Sequence, residues 1–192
     1  MDIEKIKSFF DMHAPLWDEH QQRNEAVIEQ ILDKSEVKKG VSVLDVACGT
    51  GVLIGDYLKR GAASVTGIDI SPEMIRLAGE KYPDVKFICD DVQRYDFKES
   101  FDVIMIYNAF PHFNEPEKLF ENLAARLNTG GRLTVAHGMS EEALKKHHSG
   151  AAKEVSAALP CKENLAKLMS AYLDVDIMIS DEEKYIVSGY KA

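Results

Sequence analysis

The sequence predicts one α/β domain with a doubly wound sheet of seven strands, most of them parallel. After the first forty residues, short β-rich runs alternate with helical patterns, which is the order of parallel strands joined by crossover helices. Near the end, the polar stretch Ser180-Asp181-Glu182-Glu183 separates two β-like runs, which predicts a hairpin and an antiparallel terminal strand. With 192 residues, 45% of them hydrophobic, the chain is sized for a single core.

The predicted strands consist mostly of Val, Ile, Leu and Phe, as strands covered on both faces should. Five strands form the parallel part, at residues 41–46, 64–69, 85–90, 101–107 and 132–137. The hairpin at the sheet edge comprises residues 175–179 and 185–190.

Helix start and stop signals lie between these strands. Ser71 followed by Pro72 predicts an N-cap and a first helical position, and Tyr82-Pro83 marks the end of that helix. A second helix is predicted to start near Pro116 and to stop before Gly130-Gly131. Its apolar face repeats Leu119, Leu123 and Leu127.

Two segments fall outside the alternation. Residues 2–34 predict two amphipathic helices, whose apolar positions are Ile3, Ile6 and Phe10 in the first and Val27, Ile28, Ile31 and Leu32 in the second. Residues 139–159 are polar and Ala-rich, and we expect a helical insert there.

Composition restricts the class of protein. The 23 basic and 32 acidic residues give a net charge of -9 without a Lys/Arg-rich block, which disfavours nucleic acid as a partner. We expect no signal peptide and no membrane-spanning segment, because no apolar stretch is long enough. The widely spaced Cys48, Cys89 and Cys161 argue against a disulfide framework and favour a reducing cytoplasm.

The strongest local signal is the run Val43-Leu44-Asp45-Val46-Ala47-Cys48-Gly49-Thr50-Gly51. A buried strand enters a turn of small residues that opens a helix, so a ligand can approach the backbone and the unpaired N–H groups of the helix. Asp45 is placed to receive an ammonium group or to order the turn. Taken alone, a tight turn without a ligand explains the pattern as well.

Asp69 ends the second strand, eighteen residues beyond Gly51. A carboxylate at this position can accept both hydroxyls of a ribose, so NAD is a competing ligand. The dinucleotide spacing is broken, however, because Ile54 occupies the third small position and Gly55 comes one residue late. No Gly-Lys-Ser/Thr follows the glycines, which excludes a phosphate-binding P-loop.

Nearly the whole chain resembles the class I S-adenosylmethionine-dependent methyltransferases, especially the quinone- and biotin-synthesis type, which have a Rossmann-like fold. Residues 43–51 resemble the family's acidic-x-small-Cys-Gly-x-Gly loop. The remaining matching segments are Gly67-Ile68-Asp69-Ile70-Ser71-Pro72-Glu73-Met74, Cys89-Asp90-Asp91-Val92, Phe101-Asp102-Val103-Ile104 and Leu127-Asn128-Thr129-Gly130-Gly131.

The resemblance implies a set of cofactor contacts. The methionine part of the cofactor would lie on the loop that contains Asp45, Ala47, Cys48, Gly49 and Gly51. Asp69 would hold the ribose, Ile70 and Met74 would flank the adenine, and Asp90 would bind the adenine amino group beside Asp91 and Val92. The family more often has Gly and Ala at the positions of Cys89 and Asp91, which leaves two adjacent acids as candidates; Asp90 is our choice.

The segment from Phe9 to Asp18 resembles the family's Phe-Asp-x-x-Ala-x-x-Tyr-Asp lid, with Trp17 in place of Tyr. Such a lid would cover the cofactor and exclude water. The alternative is that Trp17 only packs a helix onto the sheet. The domain then divides into an N-terminal helical lid at 1–38, a cofactor-binding core at 41–137, a helical insert at 139–160, and a C-terminal helix with a β-hairpin at 161–192.

The fourth strand is followed by Tyr107-Asn108-Ala109-Phe110-Pro111-His112-Phe113, where open α/β sheets expose their ligand crevice. The Asn-Pro-Pro-aromatic pattern of amino-group methyltransferases acting on adenine or glutamine is absent. His112 is the candidate general base, because a histidine can take a proton from a hydroxyl or thiol near neutral pH. Asn108 is expected as a second polar group around the methyl position and belongs to the residues predicted to contact the cofactor. Alternatively, His112 only caps the strand end or contacts Tyr107.

His137, His147, His148 and Cys161 are residue types that bind zinc. Adjacent histidines on a helix point about 100° apart, so at most one of the pair joins His137. We favour a solvated helix end at Lys145-Lys146-His147-His148 and a role for His137 in the acceptor pocket, and we expect no metal.

The sequence therefore predicts methyl transfer from S-adenosylmethionine to a small-molecule acceptor, in a monomer or homodimer without nucleic-acid or membrane partners. A regulatory module that binds the cofactor without chemistry would keep the same acidic residues. A nicotinamide-dependent oxidoreductase is disfavoured by the glycine spacing.

Overall fold

A computed structural model describes residues 2–20, 23–147 and 155–192. Its seven strands form one sheet in the order β3-β2-β1-β4-β5-β7-β6. The strands are β1 Ser42–Val46, β2 Ser64–Asp69, β3 Lys86–Cys89, β4 Phe101–Tyr107, β5 Leu127–His137, β6 Asp174–Ser180 and β7 Tyr185–Tyr190. The first five strands pair in parallel, whereas β7 is antiparallel to both β5 and β6.

Helices cover both faces of the sheet. They are α1 Ile3–His13, α2 Trp17–His20, α3 Glu25–Lys34, α4 Ile54–Lys59, α5 Pro72–Lys81, α6 Pro116–Ala125, α7 Glu141–His147 and α8 Lys162–Met169. Apolar residues of α6 and α8 form one core with the sheet, and those of α3 and α4 form a second core on the opposite face. The predicted doubly wound, mostly parallel fold is confirmed.

The predicted starts of α5 at Pro72 and of α6 near Pro116 agree with the structure. Ser71 caps α5 by accepting a hydrogen bond from the Met74 N–H at 3.1 Å, and Tyr82 follows its last turn. The two N-terminal helices predicted over residues 2–34 correspond to α1 and α3. Between them lie a 3₁₀ turn at Ala14–Leu16 and the short α2, which the sequence did not predict. No helix within the described ranges is long and apolar enough to cross a membrane.

The prediction that Leu127 belongs to the apolar face of the helix beginning near Pro116 was wrong. The helix α6 ends at Ala125, and Leu127 is the first residue of β5, where it pairs with Phe101. Gly130 and Gly131 lie within the same strand and exchange backbone hydrogen bonds with Lys191 at 2.7 and 2.9 Å. Pairing with neighbouring strands overrides the helical spacing of the leucines here.

Among the described residues of the predicted helical insert at 139–160, Glu141–His147 are helical, and His148 lies outside the described residues. Residues 155–160 are irregular, so the prediction was wrong there. Their backbone forms a hydrogen bond outside the segment, because the Ala157 N–H donates to the Pro111 carbonyl at 2.7 Å. This contact places the segment beside the 3₁₀ turn Phe110–His112, which follows β4.

Candidate active site

A cavity opens at the carboxyl ends of β1, β2 and β4, and residues of α1 and α2 cover it. Its position is the crevice expected for a ligand in an open parallel sheet. Thirteen of the fourteen site residues predicted from the sequence line it: Trp17, Asp45, Ala47, Cys48, Gly49, Asp69, Ile70, Met74, Asp90, Asp91, Val92, Asn108 and His112. Lining residues that the sequence did not single out as site residues include Ile3, Ile6, Val52, Gln93 and Asn114.

The turn after β1 takes an unusual backbone path. Ala47 and Gly49 both have φ of 54°, in the left-handed region that non-glycine residues rarely adopt. A Cβ placed on Gly49 would lie 3.6 Å from Trp17 Nε1 and 3.9 Å from Met74 Sδ. The missing side chain at Gly49 therefore leaves a gap between the loop and the covering Trp17, which a ligand can fill.

Gly51 departs from the predicted set, because it does not line the cavity. Its φ is 83°, and a Cβ there would come within 3.0 Å of the Tyr82 ring. Its N–H is used inside the turn, where it donates to the Cys48 carbonyl at 2.9 Å. The glycine is explained by the turn and by packing against α5, so we withdraw it from the residues expected to contact a cofactor.

Asp69 joins two loops at the edge of the cavity. One carboxylate oxygen accepts the Gly49 N–H at 2.9 Å, and the other accepts the Ser71 N–H at 2.9 Å. Burial raises the pKa of Asp69 to about 6, although these backbone hydrogen bonds oppose the shift. Each oxygen has a second lone pair that can accept a ligand hydroxyl. The residue thus orders the site as well as facing it.

Asp45 is buried beneath the same loop and accepts a hydrogen bond from the Tyr57 hydroxyl at 3.3 Å. Burial raises its pKa to about 8, and the nearby Asp69 carboxylate raises it further. None of the described side chains that line the cavity is a lysine or an arginine. Two buried acids without a basic neighbour suit a ligand that brings its own positive charge and hydroxyl groups.

Asp90 and Asp91 follow β3 and are engaged differently. Asp90 Oδ1 accepts only the Asp91 N–H at 2.7 Å among the described contacts. The Asp91 carboxylate instead accepts from the Gln93 backbone N–H at 3.0 Å and from its side-chain amide at 3.3 Å. Because Asp91 is committed to this local turn, the structure favours Asp90 as the acid that faces a ligand.

His112 lies in the 3₁₀ turn after β4, with its ring against the cavity. Its Nδ1 is 2.8 Å from the Val155 carbonyl, which can only accept, so Nδ1 carries a proton. In the neutral ring the lone pair is then on Nε2. The Phe10 ring of α1 meets the His112 ring edge-on, with the ring centroids 5.0 Å apart.

Asn108 has φ of 54° and accepts the Gly138 N–H at 3.0 Å through its side-chain oxygen. This bond ties the carboxyl ends of β4 and β5 together beside the cavity. Asparagine adopts the left-handed region more readily than other non-glycine residues, so the turn after β4 suits this residue.

His137 is not in the cavity, contrary to our expectation of an acceptor-pocket role. It is buried at the end of β5, in register with Tyr185 of β7, and the two rings are 6.0 Å apart. The antiparallel β7 pairs with β5 at this position. Within the described residues, no group of three His, Cys, Asp or Glu side chains is arranged to hold a metal ion.

Two acids of the N-terminal segment hold it on the cavity, a role the sequence did not assign to them. Asp11 accepts the Ser71 hydroxyl at 2.6 Å and the Glu73 N–H at 3.3 Å. Asp18 accepts the Thr50 hydroxyl at 2.6 Å and pairs with Lys81. Both acids occur in the lid motif, so the motif was a signal, but their partners are distant in sequence.

The fold and the cavity define a Rossmann-like protein with a ligand site at the carboxyl ends of its parallel strands. Residues 43–131 match a family model described as a methyltransferase domain. The malonyl-[acyl-carrier protein] O-methyltransferase 1 of Ilyobacter polytropus is 31% identical over 142 residues, which cover 69% of this chain and 52% of that protein. This chain belongs to the class I S-adenosylmethionine-dependent methyltransferases, as its resemblance to the quinone- and biotin-synthesis type predicted.

Solved structures share the fold. A methyltransferase in complex with the Haloferax volcanii Trm112 activator has a TM-score of 0.81 at 19% identity, with 96% of each chain covered. The N-methyltransferase NodS of Bradyrhizobium japonicum, bound to S-adenosyl-L-homocysteine, has a TM-score of 0.75 at 14% identity, with 97% of this chain and 98% of NodS covered. The chain spans about half the length of the curated relatives it matches.

Proposed function

We propose that this protein transfers a methyl group from S-adenosylmethionine to a small-molecule acceptor and releases S-adenosylhomocysteine. The observation that carries the proposal is the cavity, in which the buried Asp45 and Asp69 face the gap left by Gly49 under Trp17. These residues fit the cofactor, since it offers ribose hydroxyls and positive charge. When bound, S-adenosylmethionine supplies an electrophilic methyl group on a sulfonium.

The residues would divide the work of binding. Asp69 would accept ribose hydroxyls, and Asp90 would accept from the adenine amino group. Asp45 would release its proton as the positively charged end of the cofactor binds, and its carboxylate would stabilise that charge. Ile70 and Met74 would flank the base. Trp17 would cover the loop and exclude water. The covered site would also align the reactants, and positioning of this kind contributes several kcal/mol. The buried Cys48 has a raised thiol pKa, so it stays protonated and serves as part of the wall.

His112 would act on the acceptor. As the bond between the nucleophilic atom and the methyl carbon forms and the carbon–sulfur bond breaks, His112 Nε2 would take the proton that the acceptor loses. The Val155 carbonyl supports this role by fixing the ring tautomer. Tyr107 and Asn108 would line the acceptor side with polar groups, and Phe113 would supply an apolar wall.

The names of relatives support a small acceptor, since one is called a malonyl-[acyl-carrier protein] O-methyltransferase and others are called demethylmenaquinone and ubiquinone-biosynthesis methyltransferases. We further propose a cytoplasmic monomer or homodimer, because its three cysteines are free and its charge is acidic. A module that binds the cofactor without chemistry is the alternative, and His112 in the cavity favours an enzyme over it.

A screen of thiols, phenols, quinols and carboxylic acids for release of S-adenosylhomocysteine tests the proposal. We expect turnover with at least one class, and mass spectrometry of the product identifies the methylated atom. Tight binding of S-adenosylmethionine without turnover of any class would contradict the enzyme and favour the binding module.

A further inference from the structure

Within the described residues, separate parts of the chain contact the ring of His112. The residue itself belongs to the 3₁₀ turn after β4. Its Nδ1 contacts the Val155 carbonyl at 2.8 Å and the Ser156 hydroxyl at 3.2 Å, both in the segment after α7. From the lid, the Phe10 ring meets the His112 ring edge-on, with centroids 5.0 Å apart and planes at 85°. The orientation of His112 therefore depends on where α1 lies.

The position of α1 depends in turn on the loop that follows β2. Ser71 makes two connections there, because its N–H donates to Asp69 at 2.9 Å and its hydroxyl donates to Asp11 at 2.6 Å. Asp11 also accepts the Glu73 N–H at 3.3 Å. Asp11 directly follows Phe10 in α1. A continuous set of contacts thus runs from Asp69 through Ser71 and Asp11 to the ring that touches His112.

The cavity itself lies between the lid and these loops. Ile3, Ile6, Phe10 and Trp17 form its lid side, and residues of the β1 and β2 loops form the other side. A ligand that fills this space contacts both sides, so it binds the closed lid better than an open one. Such differential contact is what allows a ligand to shift a two-state equilibrium.

We propose that the lid couples the cofactor cavity to His112, with Asp11 as the latch and Phe10 as a positioning residue for the His112 ring. The coupling rests on the proposed function, since only methyl transfer requires His112 as a base. An occupied cavity holds the lid closed, and the closed lid presses Phe10 against His112. The proton acceptor is then fully oriented only when the cofactor is present.

Nuclear magnetic resonance of the imidazole groups in the full chain tests the coupling without an acceptor. His112→Gln identifies the His112 signal among the six histidines. We expect Phe10→Leu to move this signal, because the ring current of Phe10 is lost. Met12→Leu is the control on the same helix, since Met12 is exposed and does not line the cavity, whereas Phe9 contacts the Phe10 ring edge-on. It should leave the His112 signal in place.

The latch is tested by Asp11→Ala, with the exposed Glu4→Ala on the same helix as its control. Without ligand, Asp11→Ala should shift the His112 signal toward its position in Phe10→Leu, and saturating S-adenosylhomocysteine should return it. Calorimetry should show that Asp11→Ala binds this ligand about five-fold more weakly or worse, the lower end of typical coupling. Glu4→Ala should match the wild type in the position of the His112 signal and in its affinity for S-adenosylhomocysteine.

An unchanged His112 signal in Phe10→Leu would overturn the positioning role. A signal that moves in Phe10→Leu but is identical in wild type and Asp11→Ala would overturn the latch. If Asp11→Ala fails to fold, Asp11→Asn provides the second test, because its amide keeps one acceptor and should give a smaller shift. If the wild type fails to bind S-adenosylhomocysteine, the proposed function fails, whereas the ligand-free comparison of Phe10→Leu with Met12→Leu still decides whether the Phe10 ring contacts His112.

Discussion

Replacing the buried Asp45 with asparagine should change how the stability of the ligand-free protein depends on pH. Burial raises the pKa of Asp45 from its ordinary value of 3.8 to about 8. Between these values the folded protein holds a proton that the unfolded chain has lost. The contribution of Asp45 to the free energy of unfolding is therefore greatest below pH 4 and declines as the pH rises to 8. One such proton changes the free energy of unfolding by about 1.4 kcal/mol per pH unit.

From pH 5 to pH 7 the wild type should lose about 2.7 kcal/mol more stability than Asp45→Asn, which has no proton to release. Asp69 titrates in both proteins, so its contribution cancels in the comparison. Urea unfolding at the two pH values measures the difference. Asp84→Asn, at an exposed turn between α5 and β3, is the matched control and should behave like the wild type. Parallel pH profiles for the wild type and Asp45→Asn would refute the reasoning.

Three further predictions concern the cavity. Asp69→Ala should weaken S-adenosylhomocysteine binding by about 10-fold to 100-fold, because a hydrogen bond to a charged group contributes about 1.5–3 kcal/mol. It should also lower the melting temperature without ligand, since the Gly49 and Ser71 N–H groups lose their acceptor. Unchanged affinity would count against the ribose role. Gly49→Val should abolish calorimetric binding, because its side chain would enter the gap below Trp17 at a φ of 54°; normal affinity would place the ligand elsewhere. His112→Gln should keep cofactor affinity and lower the rate by about 10²-fold or more, with loss of the acidic limb of the pH–rate profile; a full rate with the same profile would leave His112 as a wall residue.

The alternation of short apolar runs with turn signals was sufficient to predict the seven strands of the sheet. Strands β2, β4 and β7 agree with the predicted bounds to the residue, because each is a short run that alternates with clear turn signals. Residues 127–131 were not predictable in this way. Their extended shape comes from pairing with Phe101 and Lys191, which are distant in sequence.

The candidate site was predictable where a motif fixes backbone position, and less so where partners come from elsewhere in the chain. Asp45, Gly49 and Asp69 lie at strand ends that the fold brings together. The latch role of Asp11 depends on Ser71, sixty residues away, and could not be read from local sequence. The burial of His137 follows from the antiparallel β7, whose place beside β5 is a property of the assembled sheet.

The central claim is that this cavity binds S-adenosylmethionine and its product, and titration calorimetry tests it most directly. S-adenosylhomocysteine should bind the wild-type protein with a micromolar dissociation constant, equivalent to about 8 kcal/mol. NAD should show no comparable heat at the same concentrations, because the third glycine of its loop is replaced by Ile54. Tight binding of NAD without binding of S-adenosylhomocysteine would contradict the assignment of the site.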